Sequence, residues 1–180
     1  MVLQEPYLFS RTIAENIAIT SGSYKDKDIR RASKTADLLE TVDHFPSGFE
    51  TFVGERGVTL SGGQKQRTAI AQMLIRQCPI MIFDDSLSAV DAETDARIRA
   101  ALRKDTGDAT VILIAHRITT IMHADQILVM DKGRIRERGT HEELLALGGT
   151  YRKIYDLQMA GSEEYALQNA EEERGESDER

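Results

Sequence analysis

The sequence holds no tryptophan, one cysteine and three prolines in 180 residues. A single thiol, Cys78, forms no internal disulfide and has no Cys or His at metal-ligand spacing, so it is expected to be a buried structural residue. Long hydrophobic runs are also missing. The longest, Ile80–Phe83 and Val111–Ala115, fall far short of the roughly 18–20 apolar residues that cross a bilayer. Met1 to Glu5 has neither the basic stretch nor the small-residue cleavage site of a secretory signal, so the chain is expected to stay in the cytoplasm. Basic residues are in deficit, 23 Lys and Arg against 30 Asp and Glu, and no basic stripe offers a footprint for DNA or RNA.

The net charge of −7 is unevenly spread. Between Glu163 and Arg180, eight carboxylates stand against Arg174 and Arg180, so this tail carries −6 of it and the rest is nearly neutral. With few apolar residues to offset chain entropy, the tail 163–180 is expected to be disordered and solvated. The remainder, with 41% hydrophobic residues in the whole chain, suits one globular domain.

Local patterns give the elements. Val2 to Ser10 reads as the end of a strand and a loop, because Pro6 excludes a central strand position. Thr12 with Glu15 forms a capping box that opens a helix. Ile29, Ala32, Ala36 and Leu39 recur at helical spacing and predict one amphipathic helix from Asp26 to Val42, with Asp37 on its polar side. Pro46, Gly48, Gly54 and Gly57 punctuate an irregular stretch, and a further helix is expected from about Gly63 to Arg76. From Pro79 onward, strands and helices alternate: strand Ile80–Asp84, helix Ala92–Arg103, strand Thr110–Ala115, helix Arg117–His123, strand Gln126–Met130. This predicts an α/β fold with a parallel sheet, and the continuously apolar strands predict helices on both faces. A tight turn at Asp131-Lys132-Gly133 leads into a short strand, Arg134–Arg138. Thr140 with Glu143 then caps a last helix pair broken at Gly148-Gly149.

In a parallel α/β sheet, ligands sit beyond the carboxyl ends of the strands, so polar residues that end apolar runs carry the information. Asp84 and Asp85 end one run and His116 ends another, which places two carboxylates and an imidazole at one edge. A magnesium-phosphate site needs a carboxylate for the cation, a group to orient water and a polar sensor for the terminal phosphate. Leu60-Ser61-Gly62-Gly63-Gln64 stands at the mouth of a helix, where free N–H groups, a partial positive charge and a hydroxyl make an anion cradle. A capping box of Ser61 with Gln64 accounts for two of these residues and leaves both glycines unexplained. His44, His123 and His141 have no partner at ligand spacing and read as surface or capping residues.

These residues resemble the nucleotide-binding domain of the ATP-binding cassette (ABC) transporters. Leu60-Ser61-Gly62-Gly63-Gln64-Lys65-Gln66-Arg67 is similar to the ABC signature. Ile80–Asp84 followed by Ser86-Leu87-Ser88-Ala89-Val90-Asp91 resembles the Walker B strand and D-loop. Gln4 matches the Q-loop glutamine, which reaches the metal and links to the membrane domain, and His116 matches the switch histidine. Gly54-Glu55-Arg56-Gly57 is similar to the loop that exporter-type members use to touch their membrane helices. The resemblance covers about Val2 to Gln158. It implies a partial P-loop NTPase-like core with a helical subdomain: residues 1–162 as the C-terminal part of the domain, about 11–77 helical and 78–158 the core. It further implies ATP and Mg²⁺ as ligands, with Asp84 and Gln4 at the metal, Asp85 and His116 in catalysis, and Ser61, Gly62, Gly63, Gln64 and Asp91 at nucleotide. A second nucleotide-binding domain and a transmembrane domain are the implied partners, at the cytoplasmic face of a membrane.

Two departures from the family pattern shape the expectation. A glycine-rich phosphate-binding loop should precede Gln4 by a few tens of residues, and none stands here, so the chain reads as truncated, inactive by itself and left with an exposed strand edge. Asp85 stands where active members usually carry glutamate, one methylene longer, which implies slow hydrolysis at this site. Because each ATP in this family lies between one subunit's Walker B and the other's signature, the expectation is a heterodimer. Its Asp84, Asp85 and His116 site is slow, and its intact signature completes the partner's active site. Two other readings compete: a soluble ABC ATPase, which would need insertions or nucleic-acid surfaces lacking here, and an inert fragment that binds no nucleotide.

Overall fold

The computed structural model describes residues 1–21, 24–54, 59–86, 90–105, 107 and 109–161. The acidic tail expected over 163–180 lies outside them, as do residues 55–57 and 87–89. The chain divides into two compact units, Met1–Ala115 and His116–Arg180.

In the first unit, helix α1 (Ile13–Ala18) opens with the expected capping box: Glu15 N–H donates to the Thr12 hydroxyl at 3.1 Å, and Thr12 N–H to the Glu15 carboxylate at 2.9 Å. Ile13, Ala14 and Ile17 turn into the core. The single helix expected over Asp26–Val42 is instead two, α2 (Asp26–Thr35) and α3 (Leu39–Asp43). Asp37 breaks it by adopting a left-handed conformation, φ 54°. Leu38 N–H reaches back to the Ser33 carbonyl at 2.8 Å and Asp37 N–H to Lys34 at 3.1 Å, the paired bonds of a Schellman ending. The ending is physically concealed in the sequence because aspartate occupies the place that glycine usually takes, while the apolar spacing continues through it. Its consequence is a shift of register, since Leu38 rather than Leu39 becomes fully buried.

Helix α4 (Gly62–Leu74) packs on α1 and α2 through Ala69, Ile70, Met73 and Leu74. Strand β1 (Ile80–Asp84) pairs in parallel with β2 (Thr110–Ile114), in register from Ile80 opposite Thr110 to Asp84 opposite Ile114. Helix α5 (Ala92–Asp105) lies between them in sequence, the crossover that parallel pairing requires. On the other side of β1, Val2 forms a single parallel bridge with Phe83. Met81 and Phe83 are buried in the unit's core, whereas Ile80, Ile112 and Ile114, on the opposite face, are 60%, 44% and 49% exposed. The expectation of helices on both sheet faces is therefore corrected. Apolar residues on both faces prepare both for burial, but the described elements cover one. β2 has β1 as its sole strand neighbour among the described residues, so it is an edge strand and not a central one.

In the second unit, a short helix α6 (Ile118–Ile121) precedes β3 (Ile127–Asp131) and β4 (Arg134–Gly139). β3 was expected in the parallel sheet; it pairs antiparallel with β4. The reason is local: Lys132 and Gly133 both have positive φ, 48° and 74°, the two-residue turn that folds a strand straight back on its predecessor. Helix α7 (His141–Leu147) has the expected capping box of Thr140 with Glu143 and ends at Gly148, φ 67°. A last helix, α8, runs over 150–161. Ile118, Ile127, Leu144 and Tyr151 form the unit's core. Among the described residues no helix is long and apolar enough to cross a membrane.

Candidate functional site

The carboxyl end of β1 gathers three of the singled-out residues. Asp84 N–H donates to the Val2 carbonyl at 3.0 Å, and Val2 N–H to Ile82 at 2.9 Å. These bonds bring Gln4, two residues beyond Val2, to the edge that carries Asp84. Asp85 follows with φ 46°, its N–H donating to the Ile114 carbonyl at 2.8 Å. The left-handed backbone costs an aspartate less than most residues. The bond across to β2 fixes where its side chain starts. Ser86, next along, is 1% exposed, and its hydroxyl has no hydrogen-bond partner among the described residues.

Ser61 caps α4. Gln64 N–H donates to its hydroxyl at 3.3 Å, and Ser61 N–H donates to the Gln64 side chain at 2.9 Å. Gly62 and Gly63 are therefore the first residues of a 13-residue helix, with N–H groups at its positive end. A Cβ placed on Gly62 would meet nothing within 4 Å, so the flank of the first turn is open at that residue. The same helix holds the β1 edge: Gln66, 1% exposed, donates from its amide to the Gln4 carbonyl at 2.9 Å. Sequence reading missed this contact. Its signal was a long polar side chain in phase with Ala69, Ile70 and Met73, on the face that packs.

Asp91 caps α5, accepting the Thr94 N–H at 2.9 Å. That bond, with a second from the Thr94 hydroxyl, holds its carboxyl below the usual range. The residue is exposed and ionised, with one oxygen committed to the cap. His116 begins the second unit and is exposed. Its backbone is held by Gln158, which donates to the His116 carbonyl at 2.7 Å and accepts the Ile118 N–H at 2.9 Å. The structure thus brings Gln4, Asp84 and Asp85 together at one edge, ties that edge to the helix bearing Ser61, Gly62, Gly63 and Gln64, and sets His116 in the other unit.

Among the described residues no group of three His, Cys, Asp or Glu side chains could cage a metal ion. A cation at the β1 edge would take one or two oxygens, from Asp84 and Gln4, and complete its shell with water and ligand oxygens. Magnesium is usually held that way.

Residues 1–88 match the family described as ABC transporter. The chain is 49% identical over 158 residues to the ABC transporter ATP-binding protein YknU of Bacillus subtilis (strain 168), covering 88% of this chain and 27% of that protein. It is 47% identical over 162 residues to an ATP-dependent lipid A-core flippase of Haemophilus influenzae (strain 86-028NP), covering 89% and 28%. A bacterial Atm1-family ABC exporter solved with ATP bound superposes with a TM-score of 0.83 at 41% identity, over 87% of this chain and 28% of that one. The chain thus spans about a quarter of the length of these relatives, and its fold is the P-loop NTPase-like α/β fold of that exporter.

Proposed function

Since this chain belongs to the ABC transporter family, we propose that it is the ATP-binding part of an exporter's nucleotide-binding domain and the slower half of a heterodimer. Residues 1–162 supply a helical subdomain (about 11–77) and a core (78–158). The assembly works at the cytoplasmic face of a membrane, joined to a transmembrane domain and to a second nucleotide-binding domain.

The residues fit the ligands this requires. The N–H groups of the first turn of α4, at its positive end, suit a terminal phosphate. Asp84 and Gln4 offer two hard oxygens for Mg²⁺, which when bound offsets phosphate charge. Asp85 and His116 would each serve in catalysis, and Asp91 would contact nucleotide. Ser61, Gly62, Gly63 and Gln64 complete the partner's site.

One observation carries the asymmetry. Asp85 has its backbone tied to β2 by the bond to Ile114, and its side chain is one methylene shorter than the glutamate that active members usually carry. A base must come within about 2.6–3.2 Å of the proton it takes, directly or through one water. The test is rapid-quench hydrolysis of labelled ATP by the complete heterodimer. One ATP per heterodimer should remain intact while the other turns over repeatedly; equal hydrolysis at both sites overturns the proposal.

The exposed face of Ile80, Ile112 and Ile114 favours a second reading for the 180 residues alone, namely that they bind no nucleotide. Calorimetric titration with magnesium-ATP tests it, and micromolar binding would refute it.

A further inference from the structure

Two helices present their N-terminal mouths as candidate nucleotide contacts: α4, capped by Ser61, and α5, capped by Asp91. Six residues beyond each cap stands an arginine, Arg67 and Arg97, and both reach the same residue, Asp37. Arg67 Nη1 donates to the Asp37 carbonyl at 2.6 Å and lies 3.6 Å from its carboxylate. Arg97 donates to both carboxylate oxygens, from Nε at 3.3 Å and from Nη2 at 3.0 Å, and is steadied by Glu93 at 2.6 Å and by the Thr94 hydroxyl. Asp37 offers its carbonyl and its carboxylate in different directions because it sits in the left-handed break between α2 and α3.

Exposure decides what this arrangement is for. The Arg97 side chain is half exposed and that of Asp37 29%, so water screens the ion pair and it adds little to stability. Arg67, by contrast, is largely buried, and its Nε has no hydrogen-bond partner among the described residues. Its placement therefore depends on Asp37. A fork held at two points fixes direction as well as distance.

We infer that Asp37 is a positioning residue: it clasps the second turns of α4 and α5 and thereby sets the Ser61 mouth against the Asp91 mouth. The inference rests on the proposed function, because the positioning matters only if both mouths meet nucleotide in the assembled transporter. Loss of the clasp would leave each helix folded but free to tilt about its own packing. ATP would still bind, since the cation and core phosphate contacts lie elsewhere. Closure on it would be imprecise.

The experiment is steady-state ATP turnover by the complete transporter carrying Asp37→Asn, Asp37→Gly, Arg97→Gln, Arg97→Lys or the double variant Asp37→Asn/Arg97→Gln. Asparagine and glycine both tolerate the left-handed backbone, so the helix break and the carbonyl bond to Arg67 survive. We expect kcat to fall on the order of tenfold for Asp37→Asn, Asp37→Gly and Arg97→Gln, as misplaced reacting groups do. KM for ATP should move less than about twofold, and thermal midpoints less than about 2 °C. Arg97→Lys should restore part of the rate. The double variant should lose no more than either single one, the mark of a shared unit. An unchanged kcat, additive losses, or losses that track thermal midpoints would overturn the inference. Ser61→Asp serves as the control for the underlying reading: if it leaves turnover intact, the mouth meets no nucleotide, and both fall together.

Discussion

Replacing Ser61 by alanine removes the hydroxyl that accepts the Gln64 N–H at the head of α4. Such N-caps contribute about 0.5–2 kcal/mol, and a 3.3 Å bond is at the long end of the useful range, so a loss near 1 kcal/mol is expected. For a chain of this size that lowers the thermal midpoint by about 2–4 °C. Ser61→Asp separates stability from function. Aspartate is as good a cap as serine, and its charge gains about 0.3–1 kcal/mol at a helix N-terminus, so the midpoint should hold or rise. The same charge would stand where a phosphate oxygen is proposed to bind. At about 4 Å and an effective dielectric near 20, the repulsion is about 4 kcal/mol, enough to remove binding at that mouth. Circular dichroism melts of the 180 residues, beside ATP turnover of the complete transporter, test both halves. If Ser61→Asp melts as low as Ser61→Ala, the capping argument is wrong. If it turns over ATP as well as the parent, the mouth is no phosphate site.

Further expectations concern each unit. Glu137 accepts the Tyr151 N–H at 3.0 Å and the Thr150 N–H, and these bonds, Tyr151's first, lower its carboxyl from its ordinary value. A carboxyl lowered in the folded state contributes stability that is complete above the unfolded value and is lost as pH falls through the folded one. Protection of the 150–161 amides, taken relative to intrinsic exchange at each pH, should therefore fall below about pH 4, and Glu137→Gln should flatten that dependence; a pH response equal in the two forms contradicts the assignment. Asn16, fully buried, accepts the Phe9 N–H at 2.8 Å and donates to the carbonyls of Phe9 and Thr12, each at 3.0 Å. Asn16→Ala should cost about 2–3 kcal/mol in urea unfolding, because it strands buried backbone groups. A cost below 0.5 kcal/mol, on the order of a surface change, would mean water replaces the amide. Gly54, with φ 114° and Ser10 atoms filling the place of a Cβ, should lose about 1–3 kcal/mol as Gly54→Ala; an unchanged midpoint would show that the loop relaxes freely.

What the sequence made legible was local. Three capping boxes, at Thr12, Ser61 and Thr140, fell where a hydroxyl and a glutamate or glutamine stand three apart, since both halves of each bond lie in one turn. Strand β1 was read to its last residue because Pro79 bounds one end of an apolar run and two carboxylates the other. Features that depend on distant parts of the chain were not legible. Asp37 reads as one more solvent-facing residue until Arg67 and Arg97, 30 and 60 positions away, are seen to converge on it. β3 is a different case: the tight turn at Asp131-Lys132-Gly133 was legible and it decides the antiparallel pairing, but the strand–helix alternation before it had placed β3 in the parallel sheet. The one-faced burial of β1 and β2 was hidden: composition states what a face can bury, not what is present to cover it. For the proposed site, sequence singled out Gln4, Asp84, Asp85 and Ser61 one by one, while the amide of Gln66 that joins edge to helix required coordinates.

The most direct measurement compares Asp85→Asn with Ser61→Asp in the complete transporter, reading steady-state ATP turnover in lipid discs. Under the proposed function the two changes disable opposite sites, Asp85 serving the site built on this chain's β1 and Ser61 the site built on a partner. The account predicts that Asp85→Asn keeps turnover within about twofold of the parent, because that site already lacks a base of full reach, whereas Ser61→Asp abolishes most of it. Equal losses, or the greater loss in Asp85→Asn, would contradict it.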